Sequence, residues 1–246
     1  MWRAVTEGEP FLSGRSMISV GHFGRRMVVY PISRRHEERG RALINWVAEF
    51  KIAGCRPMPV QDRVHTARLE DALAPFAAFL DVPALIRGAA TIYQHPMADR
   101  DPLPTWDFGR ITLLGDAAHS MHPTGGNGAS QAILDTRVLA RELALRPPIE
   151  AAVAAYDAAR RPAAAAAVVA NRAGGPERPL ELVEERAPDG FANIDDVVSR
   201  EELEEIARAY KRTAGFDPET LNNRPSPSVR SAISPQGTRL QDRERE

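Results

Sequence analysis

The chain of 246 residues has a single cysteine, Cys55. One thiol closes no intrachain disulfide and builds no thiolate metal cluster. Neither sign of charge dominates: 32 Lys and Arg face 33 Asp and Glu, for a net charge of -1. A nucleic-acid surface would show a clustered basic excess, so that class of partner is not expected. The apolar runs fall far short of the roughly 20 residues of a membrane span. The opening residues, Met1-Trp2-Arg3-Ala4-Val5-Thr6, lack the apolar core of a signal peptide. These absences predict no nucleic acid, no membrane and a cytoplasmic location. What is present is 43% hydrophobic residues over a length that supports one or two domains with a real core.

Residues 16–50 carry the runs "MISV" and "RMVVYPI", separated by the Gly-bearing turn "GHFGR". They read as antiparallel β-structure. "LINWVAEF" reads as a third, half-buried strand, with Leu43, Ile44, Trp46 and Val47 partly alternating with polar neighbours. Leu69, Leu73, Phe76, Phe79 and Leu80 fall near helical spacing, and Pro75 divides that stretch into two shorter helices. "TIYQHPM" is a short strand and "DRDPLPTWDFGR" a loop. "RITLLGD" is continuously apolar, as suits a strand buried on both faces. "GASQAILDTRVLARELAL" reads as a helix with Ala132, Ile133, Thr136, Leu139, Ala140 and Leu143 along one side. Residues 149–171, rich in alanine, form a second helix. Residues 197–213 form a third, with Ser199 and Glu202 spaced as a capping box. From residue 222 the chain is Pro, Ser and charge, the composition of a disordered tail.

The densest chemistry lies in "LLGDAAHSMHPTGGNGASQAILD", residues 113–135. Three readings of it are open. Asp116, His119 and His122 are spaced three apart, as metal ligands on one helical side would be, but Pro123 and the glycines place a turn there. A capped loop with structural histidines is the plainer reading. The third is a cofactor clamp. A carboxylate at the end of a buried strand sits where α/β folds bind ligands. A Gly-rich turn lets backbone approach a flat ligand closely. The following helix start offers free N–H groups and partial positive charge.

"GDAAHSMHPTGGNGASQAILD" closely resembles the second FAD-binding motif of the class A flavoprotein monooxygenases, the p-hydroxybenzoate hydroxylase-like family. The Gly-Asp-Ala-Ala-His start, the Pro four residues after that His and the Gly-x-Gly before the helix all match. "RAVTEGEPFLSGRSM", "YPIS…INWV", "YQHPMADRDPLPTW" and "AILD…YDAARRP" resemble its phenazine-carboxylate and aromatic-acid hydroxylase branch, and "NRAGGPERPLELVEERAPDGF" the C-terminal portion of related flavin-dependent oxidoreductases. The resemblance implies a mixed α/β fold: the C-terminal portion of a doubly wound FAD-binding domain plus an antiparallel-sheet substrate domain. It implies cofactor contacts at Gly115, Asp116, Pro123, Gly126, Asn127, Gly128 and Ala129. Asp116 would accept from ribitol or ribose hydroxyls, Pro123 would lie beside the isoalloxazine ring, and the Gly126–Ala129 backbone would face the pyrimidine edge. Tyr30, His95 and Met97 are the candidates for substrate contact. No side chain is expected to act as a catalytic acid or base, and no metal is expected.

In such enzymes NAD(P)H reduces FAD, O₂ adds at C4a, and the hydroperoxide hydroxylates a small aromatic or phenazine-type carboxylate. The family pattern also needs an N-terminal βαβ unit with Gly-x-Gly-x-x-Gly, and that fingerprint is absent before the substrate sheet. The chain therefore reads as a C-terminal half, truncated relative to a full-length enzyme. Its expected organisation is substrate-domain sheet and helices over 1–108, FAD-domain part over 109–175, helical extension over 176–221 and tail over 222–246. The alternative function is a non-catalytic fragment that depends on a partner chain supplying the nucleotide-binding half.

Overall fold

The computed structural model describes residues 1–51 and 66–223. Cys55 and, from residue 224, the expected tail lie outside the described residues. The chain opens with β1 (Trp2–Gly8), β2 (Ile18–His22), β3 (Arg25–Pro31), the short helix α1 (Arg34–Glu37) and β4 (Ala42–Phe50). Then come α2 (Thr66–Leu73), a tight helical turn over Ala74–Ala78, α3 (Val82–Arg87) and β5 (Tyr93–Gln94). β6 (Asp107–Phe108), β7 (Ile111–Thr112) and α4 (Asp116–His119) lead into the long helices α5 (Gly128–Leu145) and α6 (Ile149–Arg172). α7 (Arg178–Arg186), α8 (Arg200–Ala214) and α9 (Pro218–Asn223) follow. No described helix is long and apolar enough to cross a membrane.

The chain forms two compact units. The first joins Met1–Met97 to Glu177–Arg200; the second joins Ala98–Pro176 to the chain from Glu201 onward. The span expected as one helical extension, 176–221, is thus shared between them.

The first unit is built on an antiparallel sheet in the order β2-β3-β4-β1-β5. Alternation assigns its faces. Trp2 and Ala4 of β1, Met27 and Val29 of β3, and Ile44, Trp46 and Ala48 of β4 point inward and are buried. Register sets large against small: Trp46 lies opposite Ala4 on one side and Val29 on the other, and Trp2 lies opposite Ala48. Leu69, Leu73, Phe76, Leu80, Val82, Leu85 and Ile86 from the helical segments close this core. The division at Pro75 is as expected: α2 ends at Leu73 and α3 begins at Val82. A buried polar chain ties sheet to helix, because Trp46 Nε1 donates to Thr6 Oγ1 at 3.1 Å and Thr6 Oγ1 donates to the Leu85 carbonyl at 2.6 Å. Gly88 permits that approach; a Cβ there would stand 2.6 Å from Thr6 Cγ2.

One strand of this sheet departs from expectation and one agrees with it. β1 was not anticipated, because its inward set mixes Trp2 and Ala4 with Thr6 and blurs the apolar alternation. β4 is half-buried, as expected, with one face in the core. It lies between β3 and β1, and its inward set is Ala42, Ile44, Trp46 and Ala48, with Leu43 and Val47 on the other side.

The second unit centres on Trp106, Ala118, Tyr156 and Ala164, with Leu103, Leu113, Val138 and Leu139 against them. Its strand is a correction. β7 spans only Ile111–Thr112 and pairs antiparallel with β6. Ile111 is 68% and Leu114 41% exposed, so the doubly buried strand read from "RITLLGD" does not form. Burial on both faces requires neighbouring strands and covering layers, and among the described residues β6 is the strand that pairs with β7. The α5 stripe is a second correction. Ile133 and Leu143 are exposed, while Gln131, Asp135 and Glu142 are buried, so the helix turns its polar side inward.

Candidate functional site

Residues 113–135 fold as turn, helical turn, Gly-rich turn and helix. Gly115 opens α4 with φ 57° and ψ -140°, a left-handed conformation natural to glycine. Its carbonyl accepts from the Ala118 and His119 amides, both at 2.9 Å. Its own N–H donates to Asp135 Oδ2 at 3.0 Å. Asp116, one residue on, is exposed at the start of the helical turn.

Asp135 is wholly buried. Besides Gly115 it accepts from His119 Nε2 at 2.6 Å and from Arg160 Nε at 2.8 Å. Burial alone would push its carboxyl up, but the bonds from His119, Gly115 and Arg160 outweigh it and hold the group below its ordinary range. The carboxylate is then acceptor-only, which places a proton on His119 Nε2. The Trp106 ring stands 5.6 Å from the His119 ring and 5.8 Å from that of Tyr156. Tyr156 donates to the Leu113 carbonyl at 3.0 Å; burial and the Asp135 charge raise its phenol above the ordinary value. Arg160 also donates to Gln131 Oε1 at 2.7 Å, and Gln131 Nε2 donates to the Ala214 carbonyl at 3.0 Å.

The Gly-rich turn is held from α8. Gly125 has φ 78°, and a Cβ on it would fall 2.1 Å from Tyr210 Oη; one on Gly175 would fall 3.1 Å from the same ring. Tyr210 donates to Asn171 Oδ1 at 2.9 Å, and Asn171 Nδ2 donates to the His122 carbonyl at 3.0 Å. The ring of Tyr210 therefore fits against two glycines and is anchored through Asn171 to the segment before Pro123.

The structure gathers the residues read from the motif into the second unit. Gly115 and Asn127 are buried, Asp116, Pro123, Gly126 and Ala129 exposed, and Gly128 half-buried as the first residue of α5. Asn127 Nδ2 is buried with no hydrogen-bond partner among the described residues. His119 belongs to the Asp135 cluster and His122 bonds Thr124 Oγ1 at 2.6 Å, so Asp116, His119 and His122 do not converge on one point. Among the described residues no group of three or more His, Cys, Asp or Glu could hold a metal ion.

Tyr30, His95 and Met97 lie in the first unit. Tyr30 is on the outer sheet face, opposite Asn45. His95 follows β5 on the same face, its N–H donating to the Met1 carbonyl at 2.8 Å. The two are three strand spacings apart across the sheet and, with Tyr30 aligned to Val5 and His95 to Met1, four residues apart along it, about 20 Å by strand geometry, so they share a face without meeting. Met97 is the last residue of the first segment of that unit and is half-buried.

Asp135, Arg160, Gln131, Asn171 and Tyr210 were not singled out from the sequence. A signal existed for the first three: Gln131, Asp135 and Glu142 repeat at helical spacing on α5, and Arg160 stands within α6. For Asn171 and Tyr210 there was none, because their pairing spans 39 residues.

Comparison with known proteins assigns this arrangement. Residues 22–171 match the family model described as FAD binding domain. The chain belongs to this FAD-binding domain family. Phenazine 1,6-dicarboxylic acid hydroxylase PhzS of Lysobacter antibioticus is 48% identical over 184 residues, which covers 70% of this chain and 44% of that protein. 6-Hydroxynicotinate 3-monooxygenase of Bordetella bronchiseptica is 48% identical over 60 residues, 24% of this chain and 16% of that protein. Klebsiella pneumoniae HpxO, solved with FAD and uric acid, shares the fold with TM-score 0.62 and 22% identity, over 89% of this chain and 53% of that one. The chain spans less than half the length of these curated relatives. The resemblance read from residues 115–135 and the FAD assignment agree with this family.

The residues of the second unit fit a flavin. Asp116 is an exposed acceptor set beside the buried Asp135 cluster. Gly126 has φ 61° and nothing within 4 Å of a Cβ position, which leaves open backbone at the turn. The amides of Gly128 and Ala129, before the first α5 bond pattern is complete, stay free to donate to a ligand carbonyl.

Proposed function

We propose that the chain forms the flavin-ring side and the substrate sheet of an FAD-dependent aromatic monooxygenase, which uses NAD(P)H and O₂ to hydroxylate an aromatic or phenazine-type carboxylate. The observation that carries this reading is the Asp135 cluster, which holds Gly115 and so presents Asp116 beside the Gly-rich turn, in a chain of the FAD-binding domain family. In balanced form one aromatic C–H, O₂, NAD(P)H and a proton become C–OH, NAD(P)⁺ and water. When bound, FAD supplies the two-electron chemistry with oxygen. The chain's own residues position and tune. Asp116 accepts from the hydroxyls of the sugar-alcohol chain. Pro123 borders the ring. The Gly128 and Ala129 amides, at the positive end of α5, favour negative charge on the edge they face. Tyr30 of β3, with His95 and Met97 in the segment that follows β5, would meet the substrate. The similarity to PhzS supports the substrate class.

Exposed apolar side chains favour a second reading. Phe108 is 56%, Ile111 68% and Ile133 63% exposed. Such groups suit a surface completed by a partner carrying the nucleotide-binding half. One experiment separates the readings: incubation with FAD, desalting and a visible spectrum. A retained, perturbed flavin spectrum is expected, with Asp116→Ala lowering the flavin retained about tenfold, the size of one charge-assisted hydrogen bond. A colourless wild type would mean that flavin binding requires the partner half.

A further inference from the structure

The outer face of the five-stranded sheet carries an arginine that no carboxylate of the described residues neutralises. Val28, Val47, Arg3 and Tyr93 form one row across β3, β4, β1 and β5. Tyr30, Asn45 and Val5 form the next row on the same face. Val28 and Val47 are half-buried and Val5 is 39% exposed, which makes an apolar floor around the buried Asn45. Arg26, further along that face, is neutralised by Glu49 and Glu177. Arg3 is exposed, and no carboxylate pairs with it among the described residues. Tyr93 is its cross-strand neighbour, and the Tyr93 and His95 rings stand 6.3 Å apart. Burial first, then Arg3 and the N-terminal ammonium, hold His95 below its ordinary value, so its neutral ring sits in a field that is positive.

A cation beside an apolar floor recognises a flat, apolar body with an anionic group at its edge. We propose that Arg3 binds the carboxylate of an aromatic acid whose ring lies on the Val5–Val28–Val47 floor, with Tyr93 at its flank. This rests on the aromatic-hydroxylase reading and deepens it by naming the residue that reads the substrate's charge. Arginine suits the task through its planar fork of donors, which matches a carboxylate in two parallel bonds. By strand geometry Arg3 and Tyr30 are about 12 Å apart at their Cα atoms, a span that a two- or three-ring aromatic body fills.

The test uses the full chain with FAD present and a matched probe pair, phenazine-1-carboxylate and its uncharged carboxamide, titrated by equilibrium dialysis. The wild type should prefer the acid by about tenfold or more. Arg3→Met should abolish that preference by weakening the acid and leaving the amide unchanged, and Arg3→Lys should restore part of it. Melting temperatures of both variants should equal the wild type's, because Arg3 is exposed. Equal binding of acid and amide by the wild type, binding of neither, or a preference that survives Arg3→Met would each overturn the proposal. Flavin retention on the same samples separates the two ideas. An acid preference that depends on Arg3 in a chain that retains no FAD would remove flavin binding by this chain alone and leave Arg3's role standing. Retained FAD with no effect of Arg3 would do the reverse.

Discussion

At the scale of single residues, Asp135 decides most. It is buried, charged and satisfied by three donors. Removing one partner of such a group leaves the other buried and unpaired, which costs about 3–5 kcal/mol. Asp135→Ala should lower unfolding free energy by about that amount in urea titration, and should lower flavin retention with it through the loss of the Gly115 bond. An unchanged midpoint would show that Arg160 finds another partner. The pH dependence follows from the direction of the shift. The folded carboxyl sits below its unfolded value, so its contribution is complete above the ordinary carboxylate range and is lost as pH falls through the depressed folded value. Melting curves between pH 6 and about pH 3 should show a steep acid loss in the wild type, and Asp135→Ala should flatten it.

At the scale of elements, the turn between α4 and α5 depends on α8. Gly125 and Gly126 both have positive φ, yet only Gly125 meets the Tyr210 ring. Gly126→Ala should cost the backbone strain alone, about 1–2 kcal/mol. Gly125→Ala should cost clearly more, because Tyr210 must move and its bond to Asn171 with it. Thermal melts of the two variants check this, and equal losses would refute the lock. The turn, its glycines and the helix after it were legible from "HPTGGNGAS", because Pro and Gly act locally. The side of α5 that faces inward was not. Ile133 and Leu143 suggested an apolar stripe, but Arg160 on α6 draws Gln131 and Asp135 inward instead. An ion pair between helices outweighs a weak apolar pattern that no local rule contradicts.

At the scale of the whole molecule, each unit has its own core, and ligand binding should register as global stability. If FAD binds the native chain and not the unfolded one, a hundredfold excess over Kd adds about 2.7 kcal/mol. The melting temperature should therefore rise with FAD concentration, and the rise should shrink in Asp116→Ala. A flat response across FAD concentrations would remove the flavoprotein reading for this chain. The partition into units cuts across the chain order, since Glu177–Arg200 joins the sheet unit while α8 joins the other. Composition does not shift at those points, so that division was not readable beforehand.

The sequence by itself determined the chemistry and its local frame. It specified the Gly115-Asp116 step, the Gly-rich turn at residues 125–128, the helix that follows and the break at Pro75, because each is set by a residue's own backbone preference or by its immediate neighbours. The tertiary structure alone decided what holds that frame and what faces a ligand. The Asp135–His119–Arg160 cluster, the Tyr210 lock and the row that places Arg3 beside Tyr93 join residues from 16 to 90 positions apart. Such contacts form only when strand register and helix packing bring distant segments together, and no local pattern encodes that register.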